Sequence, residues 1–197
     1  MTQRRKPDYY TRLAHKKSYP ARSVFKLEEI DARARLMTRG NVVLDLGASP
    51  GSWLMYLSEK AGNEGRVIGV DINPLNIELP QNAGFIQADV NAVDPSRIAE
   101  ACGGRPIDVV VSDLAPRTSG VKLADQENSW ALFERALELA AALLRPGGNF
   151  AGKLFFSPRH KEAETRLKGL FRETRTIHPR ATRKSSREVF LVGKGFK

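Results

Sequence analysis

A doubly wound α/β sheet, mostly parallel, is the fold this sequence predicts, and three observations carry that expectation. Four short apolar runs rich in β-branched residues each end at an aspartate or in glycine turn chemistry: VVLDLG at Val42–Gly47, RVIGVD at Arg66–Asp71, GFIQAD at Gly84–Asp89 and IDVVVSD at Ile107–Asp113. This is the profile of strands buried on both faces of a parallel sheet. Helical patterns separate the runs, and such alternation is the signature of this architecture, with helices on both faces. Two strand candidates with little room for a helix between them close the sequence, which predicts an antiparallel hairpin at one edge.

Each element follows in order. The first 20 residues read as a basic arm, and a helix over 21–36 precedes the first strand. After that strand comes a helix at Trp53–Lys60, with Ser49 or Ser52 available to cap it. A turn around Asn73–Asn76 and a short helix follow the second strand, and a helix at Pro95–Ala101 follows the third. The fourth leads into a long amphipathic helix over Gln126–Leu144, stopped by Arg145, Pro146, Gly147 and Gly148. A strand in NFAGKLFFSP (Asn149–Pro158), a charged helix at Arg159–Leu170 and strands at Thr174–His178 and Glu188–Gly193 bring the total to seven strands. No internal repeat or low-complexity linker divides the chain, so residues 1–197 are expected to form a single domain large enough for a substantial core.

Hydrophobic content of 41% and charged content of 27% are those of a soluble globular protein. No apolar run approaches a membrane span and the start MTQRRKPDYY lacks the apolar segment of a secretory signal, so a cytoplasmic protein without a membrane partner is expected. The single cysteine, Cys102, excludes an internal disulfide framework, and His15, His160 and His178 have no metal-ligand spacing. Charge is more informative. Residues 1–35 hold ten Lys/Arg against four Asp/Glu, a net +6, and residues 159–197 hold twelve against four, a net +8. The middle carries ten against fourteen, a net −4. Two basic flanks around an acidic centre suggest a polyanion, nucleic acid first, bound beside a site that holds something else. In the arm, Arg4, Arg5, Lys6, Arg12, Lys16 and Lys17 are the candidate phosphate contacts.

Two features point to chemistry. Lys153 interrupts the apolar segment Phe150–Phe156, and a lysine is seldom buried without a partner. An isolated lysine of this kind ordinarily snorkels to solvent, so a functional role needs support from elsewhere in the chain. Asp71, Asp89 and Asp113 all fall at carboxyl ends of parallel strands, which share one edge of the sheet. Each alone reads as a turn former; together they line one cleft. The turn DLGASPGSW, Asp45–Trp53, has Gly47 and Gly51 for close backbone approach but lacks the dinucleotide pattern, which disfavours a pyrophosphate. An acid closing the second strand suits ribose hydroxyls. Asp89 suits an adenine amino group and Asp113 an ammonium, so the set describes S-adenosylmethionine better than NAD.

The ordered set RSVFKLEEID, DLGASPGSW, GVDINP, QADV, SDLAPRTSG, FAGKLF and SSREVFLVGKG resembles the FtsJ/RrmJ-type RNA 2′-O-methyltransferases along nearly the whole chain. The resemblance implies a Rossmann-like, S-adenosylmethionine-dependent methyltransferase fold. It implies a catalytic Lys-Asp-Lys-Glu tetrad at Lys26, Asp113, Lys153 and Glu188, and cofactor positions at Gly51, Trp53, Asp71, Asp89 and Asp113. The sequence departs from the family pattern at Ser52, where a second glycine is usual, at Arg117, where asparagine is common, and in the FSP that follows KLF. The last two bear on which RNA fits.

A ribose 2′-hydroxyl is a weak nucleophile, and methyl transfer to it benefits from a base that takes its proton as the C–O bond forms. Lys153 is assigned that role, with burial and a second cation, Lys26, favouring its neutral amine. Asp113 and Glu188 are expected to orient the two amines. Compact size and whole-chain resemblance point to a uridine of large-subunit ribosomal RNA in a ribosomal particle, with a monomer as the simplest state. The competing readings are a noncatalytic RNA-binding or ribosome-assembly module, a 2′-O-methyltransferase of tRNA, and a methyltransferase of small molecules or proteins.

Overall fold

The four apolar runs become strands; those at 42–46, 66–71 and 107–112 bury both faces as expected, whereas the run at 83–87 ends up at the sheet edge and fully buries only Ile86. They form β1 (Val42–Leu46), β2 (Arg66–Asp71), β3 (Ala83–Gln87) and β4 (Ile107–Ser112) in a computed structural model that describes residues 8–183 and 186–197. Arg4, Arg5 and Lys6 lie outside the described residues. Three further strands, β5 (Leu144–Phe155), β6 (Phe171–Ile177) and β7 (Glu188–Phe196), complete a seven-stranded sheet of order β3-β2-β1-β4-β5-β7-β6. Strands β1 to β5 pair in parallel, and β7 inserts antiparallel between β5 and β6. Chain order reverses between β1 and β4, the place where open sheets of this kind leave a crevice beyond their carboxyl ends.

The helices divide between the two faces. Alternate residues of β1 feed both cores: Val42, Leu44 and Leu46 pack with Trp130 and Phe133 of α5 (Lys122–Leu143), Ile98 of α4 (Pro95–Ala101) and Leu167 of α6 (His160–Leu170). Val43 packs on the opposite side with Ala14 of α1 (Tyr9–Lys16), Ile30 of α2 (Val24–Ala34) and Leu54 of α3 (Ser52–Ala61). No described helix is long and apolar enough to cross a membrane.

Four local expectations are corrected. Residues 9–16 of the expected arm are a helix, capped by the Asp8 carboxylate accepting from the Thr11 N–H at 2.8 Å and anchored by buried Ala14. No helix follows β2, because Pro74 and Pro80 bracket a segment too short to build one. Neither Ser49 nor Ser52 caps α3: its N-cap is Gly51 at φ 108°, while Ser52 Oγ accepts from the Ala21 N–H at 2.7 Å. Helix α5 begins at Lys122, and the Arg145–Gly148 turn that ends it bulges out of β5, which already pairs at Leu144 with Ile107 before resuming at Asn149 with Val109.

Candidate active site

Lys153 lies two residues before the end of β5 and is only 6% exposed. Its Nζ donates to the Asp113 backbone carbonyl at 2.6 Å and to Asp113 Oδ1 at 2.9 Å. The same oxygen lies 3.9 Å from Lys26 Nζ, which meets Glu188 Oε1 at 2.5 Å. Thr182 Oγ1 donates to that Glu188 oxygen at 3.2 Å. All four residues named through the family resemblance therefore meet in one alternating chain, Lys153–Asp113–Lys26–Glu188. Two cations face two carboxylates, which answers how an apolar strand admits a lysine.

Each member is set by a different element. Asp113 follows the last residue of β4, where its N–H donates to the Leu46 carbonyl at 3.1 Å. Lys26 stands in the first turn of α2, whose flanking residues Phe25 and Leu27 are buried. Glu188 opens β7 opposite Phe155, and Lys153 faces Phe190, so the antiparallel register sets Glu188 beside the end of β5 that carries Lys153, where its carboxylate meets Lys26. Trp53 joins these parts: its Nε1 donates to the Ser23 carbonyl at 2.9 Å, just ahead of α2, and its ring lies 5.8 Å from that of Phe190.

Beside the cluster is a cleft of about 280 Å³ at the β1/β4 reversal, lined by Gly47, Ser49, Asp71, Asp89, Asp113 and Leu132 among others. A Cβ on Gly47 would come within 3.1 Å of the Leu114 nitrogen, so only glycine lets the first turn close against β4 there. Asp71 and Asp89 also do the work of turn formers: Asp71 Oδ1 accepts from the Asn73 N–H at 2.8 Å and Asp89 Oδ1 from the Asn91 N–H at 2.9 Å. Asp71 Oδ2 reaches across to accept from the Ser49 N–H at 3.0 Å, tying β2 to the glycine turn. Gly51 and Trp53 are not among the residues lining this cleft. Gly51 starts α3 against the Ile77 side chain. A larger groove of about 760 Å³ beside Tyr19, Met55 and Asn82 contains none of the four clustered residues.

Asp45 is the residue that sequence reasoning passed over. It is fully buried in β1, and neither carboxylate oxygen has a hydrogen-bond partner among the described residues. Burial first, then the negative charges of Asp113 and Asp71, hold its carboxyl well above the usual carboxylate range. The signal was available: an acid at the fourth position of a five-residue run buried throughout.

The three carboxylates along the cleft suit a ligand that offers hydroxyl and amino donors and positive charge. The cluster beside them suits proton transfer at an adjoining acceptor group. Residues 19–196 match the FtsJ-like methyltransferase family. The chain is 48% identical over 189 residues to the Ribosomal RNA large subunit methyltransferase E of Sorangium cellulosum, covering 96% of this chain and 88% of the relative. It is 46% identical to the protein of the same name from Bdellovibrio bacteriovorus, covering 94% and 95% of the two chains. A Plasmodium falciparum crystal structure described as a ribosomal RNA methyltransferase superimposes with a TM-score of 0.79 at 29% identity, covering 90% of this chain and 98% of that one. With its cluster, cleft and nearly full-length matches taken together, the chain belongs to the FtsJ-like methyltransferases.

Proposed function

We propose that this chain transfers a methyl group from S-adenosylmethionine to a ribose 2′-hydroxyl of RNA, at a uridine of large-subunit ribosomal RNA within a ribosomal particle in the cytoplasm. The observation that carries the reading is the Lys153–Asp113–Lys26–Glu188 chain, which shares Asp113 with the acidic cleft. Relatives named for the large ribosomal subunit supply the choice of RNA over the alternatives, tRNA or a noncatalytic role.

Asp71 and Asp89 would hold the ribose and adenine ends of the cofactor, and Asp113 its amino group. The cofactor supplies an electrophilic methyl on a sulfonium. The protein's part is proton handling and alignment. Lys153 Nζ would take the 2′-hydroxyl proton as that oxygen becomes the nucleophile toward the methyl the cofactor would supply. Lys26 shares the Asp113 carboxylate, so it supplies positive charge there while Lys153 presents a lone pair. Glu188 and Thr182 fix Lys26, and the central strand β5 fixes Lys153. The whole chain acts as one domain and as a monomer, with the basic ends gripping phosphates while the acidic centre holds the cationic cofactor.

The test is calorimetric binding of S-adenosylmethionine followed by transfer of labelled methyl to bulk ribosomal and transfer RNA. Saturable binding with label entering large-subunit RNA, in a form resistant to alkaline cleavage at the modified ribose, is expected. Binding without transfer to any RNA would favour the noncatalytic reading, and transfer to tRNA alone would move the substrate.

A further inference from the structure

Among the described residues, Phe156 is the one large aromatic outside α1 that is more than half exposed, at 52%. It sits immediately past the end of β5, three residues and about 10 Å of extended chain from Lys153. It forms a ridge between two adjoining depressions of about 350 and 460 Å³, both of which also contain Lys122, Gln126 and Arg187. Lys161 borders the second. The depressions' sole carboxylate, Asp125, is already occupied by the Ser119 N–H at 2.7 Å and hydroxyl at 2.9 Å. The ridge is also stiff. The Phe156 N–H donates to the Arg187 carbonyl at 2.8 Å, and Gln126 Nε2 donates to the Phe156 carbonyl at 2.8 Å. The His160 ring lies 5.3 Å away and backs the phenyl at 46°.

An exposed phenyl on a pinned backbone, bordered by three cations, matches what single-stranded RNA offers: flat apolar bases on an anionic backbone. A duplex keeps its base faces stacked inside and presents phosphates, 2′-hydroxyls and base edges, none of which stacks on a phenyl ring. We infer that Phe156 is a stacking platform for an unpaired base adjoining the reacting ribose, with Lys122, Lys161 and Arg187 on the flanking phosphates. The enzyme would thereby select a splayed, single-stranded segment. This rests on RNA being the substrate, and it gives a role to the FSP segment that follows the lysine strand.

The experiment compares wild type, Phe156→Ala and Phe156→Trp for binding to a single-stranded 10-nucleotide RNA and to the same sequence as a duplex. Equal unfolding midpoints establish that all three are folded. Phe156→Ala should weaken single-strand binding roughly 5- to 150-fold, the effect of losing one base–aromatic stack. Phe156→Trp should retain affinity, and its indole fluorescence should be quenched by the single strand and not by the duplex. Unchanged binding by Phe156→Ala, or equal losses on single strand and duplex, would overturn the inference. So would a loss seen only on intact ribosomal particles, which would make the patch a protein contact. Methyl transfer by wild type is measured alongside. Its absence would count against the proposed reaction, while the binding comparison would still decide the stacking platform.

Discussion

Lys153 and Asp45 are both ionisable residues sunk in strands of the same sheet, and the fold treats them in opposite ways. Lys153 reaches two acceptor oxygens of Asp113 and belongs to a chain of four alternating charges. Asp45 has no hydrogen-bond partner for either oxygen among the described residues, and its carboxyl is pushed up by burial and by Asp113 and Asp71. Asp113 thus acts on both, attracting the lysine and repelling the aspartate. A buried charge is tolerated either by pairing or by neutralisation, and this site uses both within a few strand positions. The paired group is the one to which the proposed reaction gives the proton transfer.

The largest expected effect comes from removing the paired group. Lys153→Ala should cut methyl transfer by at least about 10²-fold while calorimetric affinity for the cofactor stays near wild type. Lys153→Arg should fail as well, because a guanidinium keeps its proton. A near-normal rate in either variant would make Lys153 a structural lysine. The next effect is on stability. Asp113→Ala leaves a buried ammonium with only a backbone carbonyl, and chemical denaturation should show a loss of about 3 kcal/mol. Adding Lys153→Met to that variant should restore most of it. If the double variant is no better than the single, the pair is not what makes the lysine tolerable.

Asp71→Ala and Asp89→Ala probe the cleft. Each should weaken cofactor binding by about 1–3 kcal/mol in calorimetry through lost hydrogen bonds to a carboxylate. Unchanged affinity in both would leave these residues as turn formers alone. The smallest effect is the Asp45 counterpart. Its folded-state carboxyl is raised above the unfolded value, so the folded protein retains a proton that the unfolded chain releases. That penalty is absent below the unfolded value near 4 and grows as pH rises through the window above it. Asp45→Asn should therefore match wild-type stability in acid and exceed it toward neutral pH. An Asn variant that is less stable at neutral pH would mean that the carboxylate has a partner when ionised.

The same contrast explains what was legible in the sequence. Strands β1, β2 and β4 could be read because β-branched runs buried on both faces have no competing pattern. Helix α1 was hidden by its basic surroundings, although Tyr10, Leu13 and Ala14 recur at helical spacing and pack on the core behind a cap at Asp8. The short helix expected after β2 does not form, because Pro74 and Pro80 override the α/β alternation there. Lys153 stood out as a charge in an apolar run. Asp45 satisfied the same criterion but was absorbed into a glycine motif. Lys26 and Glu188 were visible only through resemblance, since each reads locally as an ordinary surface charge. Their meeting depends on how α2 lies against the start of β7, which no single segment encodes.

The most direct test of the central claim is a map of 2′-O-methylation across total RNA from cells carrying wild type, Lys153→Ala at matched abundance, or no copy of this protein. The expected result is one methylated ribose in large-subunit ribosomal RNA that is present with wild type and lost in both other strains. Three identical maps, or a Lys153→Ala strain that keeps the modification in full, would contradict it.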